Sequence, residues 1–372
     1  MRAHRFGAWA RFAVGVFAFA LLCPRGGHAG VKVVEQPDFS LELGLRMQPR
    51  LVFLQIPASG GGLEMERTFL IRRSRFKANG KMLTASYNFE WRLDATGLSS
   101  GIVLTTPIAG VENAWIQLPL RGPGLQVRMG LYDQPFSRDR LTSDSKQLAV
   151  DRGAVSNVPA ALGMADNAIG FDFRGDVKEG RYSYAVGLFD NRTIPAKLQD
   201  MPMVVGRLDL NFGSTKNLFR DAQFGEESWY SLGVNGIYHG ALEDTTGADD
   251  GLRSAAGIDG IIDIPAGPGR LFVRGELNTI RVERPRSDIS LNTTVWMAGA
   301  GYLLWHERLQ PMVRFDQVQP DDDQGGATQD ITLVGVNYYQ KGHNLKLQAD
   351  VRLQGGTGES IDEARLQWQI DF

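Results

Sequence analysis

Hydrophobic and polar residues alternate along most of this chain with a period of two. From Leu83 to Asp94, the residues Leu83, Ala85, Tyr87, Phe89, Trp91 and Leu93 share one parity, and Thr84, Ser86, Asn88, Glu90, Arg92 and Asp94 share the other. Leu345, Leu347, Ala349, Val351 and Leu353 alternate in the same way with Lys346, Gln348, Asp350, Arg352 and Gln354. Val204, Gly206, Leu208, Leu210 and Phe212 do so with Arg207, Asp209 and Asn211. Successive side chains of a strand point to opposite faces, so each segment has one apolar and one polar face. The pattern predicts about sixteen strands, near 41–55, 67–77, 81–94, 113–120, 125–131, 168–176, 181–189, 203–212, 229–238, 253–264, 270–281, 293–304, 308–318, 330–340, 344–354 and 362–372. Many run for about 9–12 residues, longer than a common soluble strand and long enough to cross a bilayer at a tilt.

The connections alternate in length. Asn79-Gly80, 121–124, 178–180, 265–269, His306-Glu307 and 341–343 are tight, whereas 57–66, 95–112, 132–167, 190–202, 239–252, 282–292, 319–329 and 355–361 are longer and polar. One connection on the tight side, 213–228, breaks the rule. Short turns on one side and long loops on the other predict an all-β chain, a transmembrane antiparallel β-barrel of about 16 strands with short periplasmic turns and long outer loops. The last segment sharpens the point: Ala364, Leu366, Trp368, Ile370 and Phe372 lie on one parity and Arg365, Gln367, Gln369 and Asp371 on the other. In a bacterial outer membrane, lipid covers the oily face of such a strand.

Residues 1–29 read as a secretory signal, with Arg2, Arg5 and Arg11 ahead of an apolar stretch from Phe12 to Leu22 and small residues at Gly27 and Ala29. Residues 30–40 are then a short periplasmic extension and 41–372 the barrel. Cleavage after Ala29 removes four basic residues, no acids and the single cysteine, leaving a net charge of −6. An acidic balance argues against nucleic acid as a partner, and a cysteine-free chain excludes a disulfide framework. No apolar run of about 20 residues follows the signal, so no helical span is expected.

If the oily parity faces lipid, the polar parity lines a lumen. Acid and base recur two positions apart on it, as Glu90-Arg92-Asp94, Asp172-Arg174, Arg207-Asp209, Arg274-Glu276, Arg314-Asp316 and Asp350-Arg352. Such neighbours are close enough for long side chains to meet. Two arrangements stay open: a wall of mutual salt bridges, or a basic ladder on one wall that guides anions. The longest loop, 132–167, carries Arg138, Arg140, Lys146 and Arg152 among five aspartates. It is expected to set a constriction inside the barrel, with an outer surface loop as the alternative. His239, His306 and His343 show no metal-ligand spacing, and no nucleophile motif or phosphate-cradling loop occurs. No enzyme activity, cofactor or metal is expected.

Several stretches carry a family resemblance: E-R-T-F-L-I-R-R-S-R-F-K-A-N-G-K-M-L (66–83), Y-N-F-E-W-R-L-D (87–94), N-A-W-I-Q-L (113–118), Q-V-R-M-G-L-Y-D-Q-P-F-S-R-D-R-L-T-S (126–143) and Y-S-Y-A-V-G-L-F-D-N-R (182–192). The chain resembles the phosphate-selective porin O and P family. The resemblance implies a sixteen-stranded, trimeric porin whose third outer loop enters the lumen, with channel lysines and arginines that bind phosphate or polyphosphate. In the matching segments these correspond to Arg73, Arg75, Arg92, Arg128, Arg138 and Arg140, with Lys146 a looser match. Arg174 and Arg207 join them as channel-lining residues of the polar parity. The net acidic loop and net acidic chain depart from a phosphate-selective pattern.

The expectation is an outer-membrane porin passing small hydrophilic solutes by diffusion, with phosphate or other anions preferred. The alternatives are a non-selective or cation-preferring porin and a plugged structural or adhesive barrel. The expected partners are the lipid bilayer, lipopolysaccharide, small ions and solutes, two further copies in a homotrimer, and the outer-membrane assembly machinery, which would read Phe372.

Overall fold

The computed structural model describes residues 30–57, 63–95, 98–99, 102–103, 107–190, 202–213, 219–222, 224–225, 227–243, 250–284, 289–321, 326–356 and 361–372. The signal at 1–29, and Asp322 and Asp323, lie outside the described residues. The strands in chain order are β1 (Val31–Gln36), β2 (Phe39–Pro57), β3 (Leu63–Met82), β4 (Ala85–Ala95), β5 (Leu98–Ser99), β6 (Ile102–Val103), β7 (Pro107–Pro119), β8 (Gln126–Asp133), β9 (Asn167–Val177) and β10 (Tyr182–Phe189). They continue as β11 (Met203–Gly213), β12 (Trp229–Glu243), β13 (Asp250–Ala266), β14 (Gly269–Arg284), β15 (Ile289–Leu303), β16 (Leu309–Pro320), β17 (Gln329–Lys341), β18 (Leu345–Gly356) and β19 (Ile361–Asp371).

Sixteen of them, β2–β4 and β7–β19, pair antiparallel with their neighbours, and β19 returns to β2 through pairs running from Glu363↔Leu54 to Asp371↔Arg46. The ring is closed, so no edge is left among these strands. Each predicted segment corresponds to one barrel strand. The 30–40 stretch is not a plain extension: β1 forms a hairpin with the start of β2. β5 and β6 make a small separate hairpin within the 95–112 connection.

Burial is inverted relative to a water-soluble protein. Phe69, Ile169 and Val334 are more than half exposed on the outer wall, while Gln48, Asp316, Gln367 and Gln369 are fully buried within the ring. Such a surface requires a solvent as apolar as itself, which a bilayer supplies.

Two local features depart from simple alternation. The first hairpin turn lies at Leu83-Thr84, not at Asn79-Gly80, which remain paired with Glu42 and Leu41 inside β3. Gly80 serves close approach instead: a Cβ there would sit 1.9 Å from the Ser40 carbonyl oxygen, and the Tyr87 hydroxyl donates to that same carbonyl at 2.8 Å. The second feature is a set of register shifts in the ladder, of which two bulges on β3 and β7 bear on the lumen. Gln48 pairs with Arg73 but Pro49 with Ile71, leaving Arg72 as an extra residue on β3. Pro49 has no N–H for the ladder, so a bulge fits there. Likewise Glu90 pairs with Asn113 and Trp91 with Val111, leaving Glu112 as the extra residue on β7.

Candidate functional site

The long loop after β8 runs inside the ring. Ser137 opens its first helical turn, α1 (Arg138–Leu141), accepting a hydrogen bond from the Arg140 N–H at 3.2 Å. That turn aims Arg138 at the β11–β13 wall, where it donates to Asp209 at 2.9 Å, Asp259 at 2.5 Å and the Ser231 hydroxyl at 2.8 Å. Asp139 pairs with Arg274 of β14 and accepts from the Gly153 N–H at 2.8 Å. The loop then crosses the lumen. Gln369 donates to the Ser145 carbonyl at 2.9 Å and Lys346 to the Gln147 carbonyl at 3.0 Å, at the turn-side ends of β19 and β18. It returns through Asp151 to α2 (Ala154–Ala161), whose Val155 packs with Phe136 and Met164 against Ile280, Val282, Val295 and Met297. Leu148 and Ala149 pack on Trp229, Ile261, Phe272 and Leu333. These wall residues occupy the inward parity, so burying them under the loop removes apolar surface from the lumen and stabilises the crossing.

A second segment enters from the opposite mouth. Within the 213–228 connection, the Asp221 N–H donates to the Lys146 carbonyl at 2.9 Å, and its carboxylate accepts from the Leu148 N–H at 2.9 Å and from Arg274 at 2.7 Å. Phe224 stands edge-on to Tyr339 and His343. This explains why the connection is long for its side: it reaches up and clasps the underside of the long loop.

Two lumen cavities flank the loop. The outer one, about 430 Å³, lies against β2, β3 and β16–β19 and is lined by eight arginines and three carboxylates. Arg72 and Arg73 both line it because the β3 bulge turns two consecutive side chains inward. The turn-side cavity, about 400 Å³, lies against β7–β11 and includes Arg128, Arg174 and Arg207 with Asp133, Asp176 and Asp209. Arg140 lines the first and its neighbour Leu141 the second, so α1 stands between them.

The charge in the outer cavity is poorly balanced. One carboxylate, Asp151, lies 2.7 Å from Arg50, 3.1 Å from Arg365, 3.5 Å from Arg73 and 3.9 Å from Arg72. Burial by itself would raise its carboxyl, but Arg50, Arg72 and Arg365 hold it well below the usual carboxylate range. Asp144, which contacts Arg73 at 2.8 Å and also pairs with Arg152, is held low against burial by Arg152 and Arg73.

Seven of the nine residues expected to line a channel fall into three groups. Arg73 and Arg140 line the outer cavity, and Arg128, Arg174 and Arg207 the turn-side one. Arg140 is held by Asp133 at 2.8 Å and by Asp166. The Arg128 guanidinium lies 4.1 Å from the Trp115 ring centre, with no carboxylate within 4.0 Å among the described residues. Arg75 and Arg92 stand in an acidic cluster on β3, β4 and β7: Arg75 reaches Glu90 at 3.1 Å and also Asp94, and Arg92 reaches the bulged Glu112 at 2.6 Å. Arg138 is a tether, and Lys146 is exposed beneath the loop. Phe372 is partly exposed, its backbone paired with Leu45 in β2.

The two-apart pairing holds for Asp172-Arg174 at 2.6 Å, Arg207-Asp209 at 2.6 Å and Arg314-Asp316 at 2.9 Å. It fails elsewhere: Arg274 turns to Asp139 and Asp221, and Asp350 takes Arg365 at 2.7 Å in place of Arg352. The residues missed as site candidates are Arg50, Arg72, Arg152, Arg314, Arg352 and Arg365 of the outer cavity. All but Arg72 and the loop residue Arg152 sit on the polar parity of their strands, which would have pointed to them. Among the described residues, no group of three or more His, Cys, Asp or Glu is placed to hold a metal ion.

Comparison with known proteins places this geometry. Residues 44–209 match the family model described as phosphate-selective porin O and P, a span that contains the resemblance seen over 66–190. An anion-selective porin from Comamonas acidovorans has a similar structure, with a TM-score of 0.59, 13% identity, and 90% of this chain and 100% of that one covered. The trimer form of the OmpT outer-membrane protein of Vibrio cholerae gives a TM-score of 0.59 at 10% identity, over 90% of this chain and 99% of its own. An uncharacterised protein of Aquifex aeolicus (strain VF5) is 22% identical over 381 residues, spanning 92% of this chain and 89% of its own. The fold is that of a bacterial outer-membrane β-barrel.

Proposed function

We propose that this chain is an outer-membrane porin, not an enzyme, through which small hydrophilic solutes diffuse, with anions favoured over cations. The observation that carries this is the outer cavity, lined by eight arginines and three carboxylates, where Arg50, Arg72, Arg73 and Arg365 all lie within 4 Å of Asp151, and Arg73 and Arg365 have a further carboxylate, Asp144 and Asp350, at 2.8 and 2.7 Å. A cavity with fixed positive excess between low-dielectric walls raises the local concentration of anions and repels cations. The net acidic chain does not oppose this, because selectivity follows the charges at the narrow point and not the total. In this reading the long loop sets the constriction. A solute passes from the outer cavity by α1 to the chamber that holds Arg128 and Arg174. Phe372 serves as the assembly signal, and three copies associate.

The test is the reversal potential of purified, reconstituted protein across a KCl gradient, repeated with phosphate added. A potential near that of chloride is expected, and one near that of potassium would reject the anion preference while leaving a porin. A specific observation favours a second reading, a plugged barrel: the loop and the turn-side segment meet through Asp221, Lys146 and Leu148. Folded protein that shows no channels would select it.

A further inference from the structure

We propose that the outer cavity selects organic anions with an apolar body, a carboxylate on a short hydrocarbon chain or ring, over small inorganic anions of equal charge. The inference rests on the anion-preferring porin reading above and names the solute class of that same cavity.

The inward side chains change character from the long-loop rim toward the middle of the wall. On β2, Val52 stands two residues rimward of Arg50; on β3, Leu70 stands two residues rimward of Arg72; on β16, Val318 stands four residues rimward of Arg314. Ile331 of β17 lies in register with Asp316, one inward step below Val318, and Val158 of α2 faces the same space. All five line the cavity; register sets Val52 beside Arg365 and Leu70 beside Arg50, so this apolar collar interleaves with the arginine floor at its rimward side.

A hydrated inorganic anion gains nothing from such a collar, because apolar surface cannot replace its water. An amphiphilic carboxylate uses both kinds of side chain. Its head meets planar guanidinium groups suited to forked hydrogen bonds. Its body removes collar and ligand surface from water. The floor has capacity for a second carboxylate: Arg352 lines it, and its ion-pair contact with Glu363 is long, at 3.9 Å. A volume of about 430 Å³ falls within the range of small-molecule sites.

The experiment measures block of the chloride current in planar bilayers by acetate, butyrate, hexanoate, benzoate and phosphate at one pH and ionic strength. Each added methylene is expected to strengthen block about two- to fourfold, so hexanoate should exceed acetate by at least about tenfold. Phosphate should block no better than acetate. Val52→Asn combined with Leu70→Asn should bring the hexanoate-to-acetate ratio toward one, and Val318→Thr gives the same readout if the pair fails to fold. Equal block by acetate and hexanoate in a chloride-selective channel would overturn the collar while the anion reading stands. A channel without chloride selectivity, or no channel, would overturn that reading and this one with it.

Discussion

Two walls of the lumen use the same residue types to opposite effect. On the β11–β14 side, Arg138, Arg207 and Arg274 meet Asp139, Asp209, Asp221 and Asp259, every arginine within 3 Å of two carboxylates. On the β2, β3 and β16–β19 side, four arginines share Asp151, and of these Arg73 and Arg365 also hold a second carboxylate within 3 Å, Asp144 and Asp350. On the first wall the carboxylates match or outnumber the arginines, and the apolar cluster under α2 borders it. The second borders the outer cavity and keeps a positive excess. Pairing is therefore the staple that holds the loop on one side, and incomplete pairing is the working surface on the other. An arginine in a barrel lumen is not a solute ligand by virtue of facing inward; its carboxylate neighbours decide.

The contrast can be broken most severely at Asp259, which binds both Arg138 and Arg207. Removing one member of a buried ionic network strands the others, so Asp259→Asn should cost about 3–5 kcal/mol. Denaturant unfolding would show the loss, and looser tethering of the loop should appear as larger, noisier single-channel conductance. The opposite wall should respond in selectivity. Arg72→Glu with Arg352→Glu removes most of the positive excess of the outer cavity, and the reversal potential in a KCl gradient should move well away from that of chloride. Arg352 is partly exposed and its ion-pair contact with Glu363 is long, at 3.9 Å. Stability should then change by about 1 kcal/mol or less at that site.

Deleting Phe372 removes the backbone pair with Leu45, one bond of which is 2.9 Å, and should cost about 1–2 kcal/mol. If that residue is the assembly signal, the heat-modifiable protein recovered in outer membranes should fall far more than this suggests; normal recovery would remove that role. The smallest effect is expected from pH. Asp144 and Asp151 are held below the ordinary carboxylate range by surrounding arginines. Their contribution is complete above that range and is lost only as pH falls through the lowered values. The hold of these two carboxylates on the loop should stay flat between about pH 8 and pH 4, and a break within that window would mean that other groups, such as Lys346 on the Gln147 carbonyl, also tether it.

Alternation made the barrel legible because a strand with lipid on one face and water on the other has little freedom in composition. It failed where the backbone leaves the regular ladder. The bulges that add Arg72 and Glu112 to the lumen change parity without changing composition, and only Pro49 opposite Arg72 hints at one of them. Gly80 looked like a turn because glycine serves close approach and chain reversal equally well. The inward apolar residues Val295, Met297, Ile280 and Val282 were a legible sign that something covers the wall; alternation could not identify the loop as the cover.

Ion pairing marks the boundary. Within the regular ladder, the chain alone settles which residues face inward, because parity is local and each strand reports its own. It also settles that sixteen such strands need lipid outside them. Which acid neutralises which base often depends on residues far apart in sequence, such as Arg138 with Asp209, 71 positions apart, and Arg46 with Asp371, 325 apart. Those distances are set by ring closure, by two bulges and by a loop and a turn that meet in the middle. Coulomb energy falls with separation in space, so the balance that divides staple from working surface exists only once the ring has closed.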